Sequence, residues 1–166
     1  MTRLMKVSGL TMDPYSNTPI IILKEVDGDR SLPIWIGLLE ATSIATQLEN
    51  IEFPRPMTHD LIKTLMNHLG VKVEKVEVCD LRDNTFYAFI YIQNGDKVSR
   101  IDSRPSDAIA IALRTQAPIY VREEVIEMSK GFETARGEAE LTDEEAKKWT
   151  EVLESLSPED FGKYKM

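Results

Sequence analysis

The residues best suited to chemistry gather where an extended segment turns into a helix, in the stretch Ile101 to Leu113. A residue before proline is pushed out of the α region and proline suits the first helical position, so a helix should begin at Pro105. Exposed backbone N–H groups in the first turn then favour a carboxylate at Asp107. The polar side chains at this corner are Asp102, Ser103, Arg104, Ser106 and Asp107.

This corner has two interpretations. Arg104 could hold a phosphate through its planar fork, and a carboxylate could polarise water or hold a metal ion. Alternatively, Asp107 caps its own helix and Arg104 pairs with Asp102 or Asp107, since structural ion pairs resemble sites.

A second candidate is Thr58-His59-Asp60, where a histidine lies beside a carboxylate at another predicted helix start. His59 could act as a general acid or base oriented by Asp60. Thr58 as N-cap and Asp60 in the first turn explain two of the three residues without any reaction, but leave His59 unexplained.

The motifs of several other chemistries are missing. The chain has neither a Walker-type phosphate loop nor a G-x-G-x-x-G, so no nucleotide cofactor is expected. One cysteine, Cys79, and two histidines exclude a thiolate or histidine-rich metal cluster within the chain, and no metal ligand is predicted. The sequence leaves open an oxygen-ligand site for a divalent cation such as magnesium.

Charge and composition limit the function classes. A net charge of −8 argues against a general DNA-coating role, because such binding needs many Lys and Arg contacts to phosphates. No apolar run is long enough for a membrane helix, and the first residues lack the apolar segment of a signal peptide. A cytoplasmic location is the expectation.

The pattern of elements predicts an α+β domain at residues 1–130, followed by an acidic tether and an amphipathic helix at 131–166. A shift of 67 residues superposes the turn at Gly28 on Gly95, and Glu40 on Asp107. This indicates two duplicated β-β-β-α units, about 1–56 and 70–123, in one compact domain with mixed or antiparallel sheets. The copies differ at one corner, which is apolar around Trp35, Leu38 and Leu39 and favours an interface with a partner.

Four runs of sequence, in order, resemble the bifunctional nuclease domain family over roughly residues 1–130. They are L-P-I-W-I-G-L-L-E-A from Leu32, R-P-M-T-H-D-L from Arg55, L-R-D-N-T-F-Y-A from Leu81, and D-S-R-P-S-D-A-I-A-I-A-L-R-T-Q-A-P-I-Y-V from Asp102. The resemblance implies a duplicated α+β fold, assembly at least as a homodimer, and hydrolysis of DNA and RNA.

Carried over motif by motif, the resemblance implies His59, Asp60 and Asp107 as catalytic residues, with Arg104, Ser106 and Arg55 binding substrate. The expected function is a nuclease acting on weakly bound, single-stranded nucleic acid. The alternative is a non-enzymatic oligomeric binding or regulatory module in which the T-H-D-L and R-P-S-D corners are purely structural.

Overall fold

A computed structural model describes the backbone of residues 1–136 and the side chains of residues 1–130. The predicted α+β class is confirmed, and residues 1–136 form one seven-stranded mixed sheet and four helices. The strands are β1 (Thr2–Met12), β2 (Pro19–Glu25), β3 (Ser31–Trp35), β4 (Val71–Arg82), β5 (Thr85–Asn94), β6 (Lys97–Ser103) and β7 (Ile119–Arg122). The helices are α1 (Leu38–Leu48), α2 (Thr58–His68), α3 (Pro105–Thr115) and α4 (Glu123–Arg136).

The sheet order is β3-β2-β1-β7-β4-β5-β6. Strands β1 to β3 and strands β4 to β6 each form an antiparallel meander, and β7 joins them by pairing antiparallel with β1 and parallel with β4. Two copies of one unit on either side of β7 would give this order, and the duplication itself stays a prediction.

Helix α3 is the central element of the packing. Ala108 to Ala112 are all buried, as their unbroken apolar run predicts for a helix surrounded on several sides. It contacts α1, α2, β4 and β5, so its N-terminus is fixed relative to those of α1 and α2. Burying these apolar side chains stabilises this half of the domain.

One predicted boundary needs correction. Thr58 is the first residue of α2 rather than its N-cap, which is Met57. Helix α1 ends at Leu48, and Asn50 just beyond it adopts a left-handed conformation with φ of 52°. Helix α4 continues to Arg136, the division of the chain at residue 130 stays a prediction, and the predicted C-terminal helix lies outside the described residues.

Candidate active site

The starts of three helices converge on one cavity, and each has an acid at its third position. These acids are Glu40 of α1, Asp60 of α2 and Asp107 of α3. The cavity has a volume of about 670 Å³, and its walls include residues of all three helices and of β5 and β6. Carboxylates are favoured in first helical turns, so the fold brings acidic groups together here.

His59 is the centre of the polar cluster at this cavity. Its Nε2 lies 2.9 Å from Oδ1 of Asp107, and its Nδ1 lies 2.7 Å from Oγ of Ser43. The His59 side chain is 11 % exposed and lines the cavity, so it is held firmly but can still be reached. The two helix starts singled out in the sequence therefore lie side by side.

The protonation state of Asp107 fixes the tautomer of His59. Burial opposes ionisation of Asp107, but the hydrogen bonds from Arg104 and His59 outweigh it and lower the pKa of the carboxyl. An ionised carboxylate can only accept, so Nε2 carries the proton and donates to Asp107. When His59 is neutral, its Nδ1 then accepts a hydrogen bond from the Ser43 hydroxyl.

Arg104 joins the other two carboxylates of the cluster. Its Nε donates to Oδ2 of Asp107 at 2.7 Å and its Nη1 donates to Oε1 of Glu40 at 2.6 Å. The side chain is 64 % exposed, and both contacts raise the pKa of its guanidinium. With His59 neutral, one cation faces two carboxylates, so the cluster has a net charge of −1.

Asp60 belongs to a separate, structural pair. Its Oδ1 accepts from Nε of Arg114 at 2.6 Å and its Oδ2 accepts from the backbone N–H of Met57 at 2.9 Å. Arg114 also donates to the carbonyls of Ala110 and Ser43, both at 3.1 Å, and its side chain is only 4 % exposed. Burial raises the pKa of Asp60, but the hydrogen bonds from Arg114 and Met57 outweigh this effect, and the net pKa is lowered. Through Asp60 and the Ser43 carbonyl, Arg114 of α3 is joined to α2 and α1.

The other predicted residues lie apart from the cluster. Ser106 is 6 % exposed and does not line the cavity, whereas Arg55 is exposed in the linker before α2. Asp102 borders the cavity but makes no ion pair with Arg104 among the described residues. Asp107 does not cap α3 through its side chain, because both of its oxygens face His59 and Arg104.

Two residues of the cluster, Glu40 and Ser43, and the neighbouring Arg114 were missed in the sequence. Glu40 could have been found, since the 67-residue shift superposes it on Asp107. Arg114 was visible as a lone charge at the end of a buried apolar run. Ser43 left no signal, because only tertiary packing brings it to His59.

Groups of three or more His, Cys, Asp or Glu side chains arranged to hold a metal ion do not occur within the described part of the chain. The same residues include no helix with the length and apolar character needed to cross a membrane.

The described residues thus form an α+β domain with a histidine–carboxylate pair at a cavity between helix starts. The chain belongs to the bifunctional nuclease domain family, whose model matches residues 21–133. An uncharacterized protein of Mycobacterium tuberculosis (strain ATCC 25618 / H37Rv) is 42 % identical over 161 residues, covering 95 % of this chain and 96 % of that protein.

Plant relatives carry a functional name. Bifunctional nuclease 1 of Oryza sativa subsp. indica is 32 % identical over 109 residues, covering 63 % of this chain and 33 % of the rice protein. Bifunctional nuclease 1 of Arabidopsis thaliana is 30 % identical over 111 residues, covering 64 % of this chain and 34 % of that protein. The chain thus spans about a third of the length of these plant proteins.

Proposed function

We propose that this protein is a nuclease that hydrolyses phosphodiester bonds in single-stranded DNA and RNA. The observation that carries the proposal is the hydrogen-bonded chain from Ser43 through His59 to Asp107 on the wall of a large cavity. The names of the plant relatives support the same reaction for the matched region.

His59 acts as the acid–base group. Asp107 orients the ring and stabilises the imidazolium that forms when Nδ1 takes a proton. The proton reaches Nδ1 from an attacking water through the Ser43 hydroxyl, which already donates to that nitrogen. The leaving oxygen departs on the opposite side of phosphorus and takes its proton from solvent, and the imidazolium afterwards returns its own proton to solvent through the Ser43 hydroxyl.

Arg104 is the residue that contacts the phosphate. Its known contacts use Nε and Nη1, and no hydrogen bond to Nη2 is found among the described residues, so this nitrogen can donate to a phosphate oxygen. Ser106 and Arg55 do not border the cavity, so the proposal gives neither a direct contact with the scissile group.

The negative charge of the His59 cluster is a reason to test whether cleavage depends on divalent cations. A net charge of −1 repels a phosphodiester, and a cation such as magnesium arriving with the substrate would compensate it. Cleavage should therefore be measured with magnesium and with a chelator.

The experiment compares wild-type protein with His59→Ala on labelled single-stranded DNA and RNA. We expect cleavage by the wild type and a loss of roughly a thousandfold in the variant, the size typical of a missing acid–base group. Equal cleavage by both proteins would remove His59 from the mechanism, and no cleavage by either would reject the nuclease proposal.

A second function is favoured by one specific observation. Both ring nitrogens of His59 and both oxygens of Asp107 have partners within the protein, as expected for a purely structural network. Leu38 and Leu39, 59 % and 80 % exposed, lie beside it and would suit a subunit interface. On this alternative, His59→Ala lowers stability, and Leu39→Asp converts an oligomer into monomers in light scattering, without any cleavage to lose.

A further inference from the structure

Strand β5 carries three aromatic side chains on the face opposite the cavity, and we call Tyr87, Phe89 and Tyr91 the aromatic ladder. Successive strand residues point to opposite faces. Ala88 and Ile90 point towards the core, and Ile90 lines the cavity. The three rings of the ladder lie on the other face and are half-buried, so part of each ring stays at the surface.

Each ring of the ladder has a cation over it. The guanidinium of Arg82 lies 4.1 Å from the ring centroid of Tyr87, and that of Arg100 lies 4.6 Å from Phe89. The ammonium of Lys75 lies 4.3 Å from Tyr91. Arg82 and Arg100 are exposed, so the outer faces of these two planar guanidinium groups are open to solvent. Nucleobases stack on guanidinium planes as well as on aromatic rings.

The local charge differs from that of the whole chain. The register places Arg122 of β7 and Glu77 of β4 on the same face as the ladder, with their side chains bonded at 2.8 Å. The register also places Lys72 on this face, where it pairs with Glu74 at the bulge of β4. The five cations there therefore face Glu74, Glu77, Asp80 and Asp102, leaving one net positive charge in a chain of net charge −8. Arg100 forms no ion pair with any described residue, so its charge is available to a phosphate.

The ladder is also close to the cavity around the edge of the sheet. Strand β6 is the last strand, and Arg100 lies over Phe89 while the next residue, Ile101, lines the cavity. Arg104 follows directly after this strand. A polymer bound on the ladder has to pass only one strand edge to reach the His59 cluster.

We propose that the aromatic ladder and its cations form a binding surface for single-stranded nucleic acid, separate from the cleavage cluster. Bases stack on the Arg82–Tyr87 and Arg100–Phe89 pairs. Arg82 is paired with Asp80 at 2.8 Å, so Arg100 is the main contact for the phosphates. The inference extends the proposed nuclease function, but binding to this face does not require cleavage.

The test measures binding and cleavage separately. Fluorescence anisotropy of a labelled oligodeoxythymidylate is followed with full-length protein carrying His59→Ala, and the oligonucleotide is checked by gel afterwards. In this background, Arg82→Gln with Arg100→Gln should weaken binding roughly tenfold or more, as expected when two stacking contacts are lost. The salt dependence should also become less steep, because two charges are missing.

The matched control removes two lysines from the other half of the same sheet. Lys6 and Lys24 are exposed register partners on β1 and β2, and Lys6→Gln with Lys24→Gln removes the same charge without touching the ladder. We expect this control to bind within about twofold of its parent. As a second variant, Phe89→Leu keeps the charge and removes one ring, and it should weaken binding severalfold.

Three results would overturn the proposal. They are unchanged affinity in the arginine variant, an equal loss in the lysine control, and binding of polyglutamate as tight as that of the oligonucleotide, which would indicate an acidic protein partner. If ladder variants lose binding while no protein cleaves, the ladder stands and the nuclease proposal fails. If cleavage requires His59 but the ladder variants bind the oligonucleotide as tightly as their parent, the nuclease proposal stands and the ladder proposal fails.

Discussion

Two charged networks of this domain differ in charge balance, in the presence of a histidine and in their access to a cavity. The first, around His59, contains Arg104, Glu40 and Asp107. The second joins the first strand, the β2–β3 turn and α4 through Arg3, Glu25, Arg30 and Glu123.

The second network is balanced and contains no histidine. Arg3 and Arg30 face Glu25 and Glu123, and at its edge Arg30 also faces Glu127, which pairs with Lys130. Arg30 donates to both oxygens of Glu25 at 3.0 and 2.8 Å. These contacts lower the pKa of Glu25, with the Arg30 hydrogen bonds as the main cause. The first network has an excess carboxylate, a histidine and a cavity. Shifted carboxylates occur in both networks and so do not distinguish them, and the proposal of a site rests on the imidazole, the unbalanced charge and the cavity.

We expect the largest difference in cleavage rate between Asp107→Asn, in the first network, and Glu25→Gln, in the second. The amide at position 107 cannot hold the ring as an ionised carboxylate does, so cleavage should fall by roughly a thousandfold. Glu25→Gln should leave cleavage within about twofold while lowering stability, because it touches only the structural network. Parallel rate measurements and urea unfolding check both. Equal losses of cleavage in the two variants would mean that the networks do not differ in kind.

The next prediction compares the stability losses caused by removing Arg104, in the His59 cluster, and Arg114, which holds Asp60 beside it. Arg114→Ala removes a buried cation that donates to three acceptors and leaves the Asp60 carboxylate without its arginine, and we expect a loss of about 3 kcal/mol in the free energy of unfolding. Arg104→Ala removes an exposed arginine that pairs with two carboxylates, so its cost should stay below about 1 kcal/mol while cleavage falls. Denaturant unfolding of both variants measures the two stability losses. A larger loss for Arg104→Ala than for Arg114→Ala would contradict the assignment of Arg114 to structural support and of Arg104 to the cluster.

The sequence could predict the fold because the local signals agree with the packing. The Asn94-Gly95 turn was predicted, and Gly95 adopts the positive φ of 59° that such turns need. Pro105 begins α3 as expected from its fixed φ. The strand order could not be predicted, since the position of β7 between the two meanders depends on nonlocal pairing.

The candidate site could be predicted only in part. His59 and Asp107 stood out because each lies at a helix start that its own neighbours specify. Their 2.9 Å contact depends on how α2 packs against α3, which no local pattern encodes. Asp60 looked equivalent to Asp107 in the sequence, and only tertiary structure shows that Arg114 holds it instead.

Acid titration gives a smaller effect of known sign. The pKa of Asp107 is lowered in the folded protein, so its contribution to stability is present above the ordinary aspartate pKa and is lost as pH falls through the lowered value. Asp107→Asn lacks this group, so below about pH 4 its stability should fall less steeply with pH than that of the wild type. Urea unfolding across the acid range measures the slopes. Parallel slopes would mean that the Asp107 carboxyl has the same pKa in both states.

The smallest effect concerns the hydroxyl next to His59. Ser43→Ala removes the donor to Nδ1 but leaves the Asp107 contact, so the ring keeps its orientation. A water molecule can replace the hydroxyl as proton carrier, and we expect cleavage to fall only about fivefold, near the value of one hydrogen bond. Ser43→Thr retains a hydroxyl and should keep most of the rate. If Ser43→Ala were as slow as His59→Ala, the hydroxyl itself would be the nucleophile. A covalent phosphoserine, found by mass spectrometry after rapid quenching, would then replace the water mechanism proposed above.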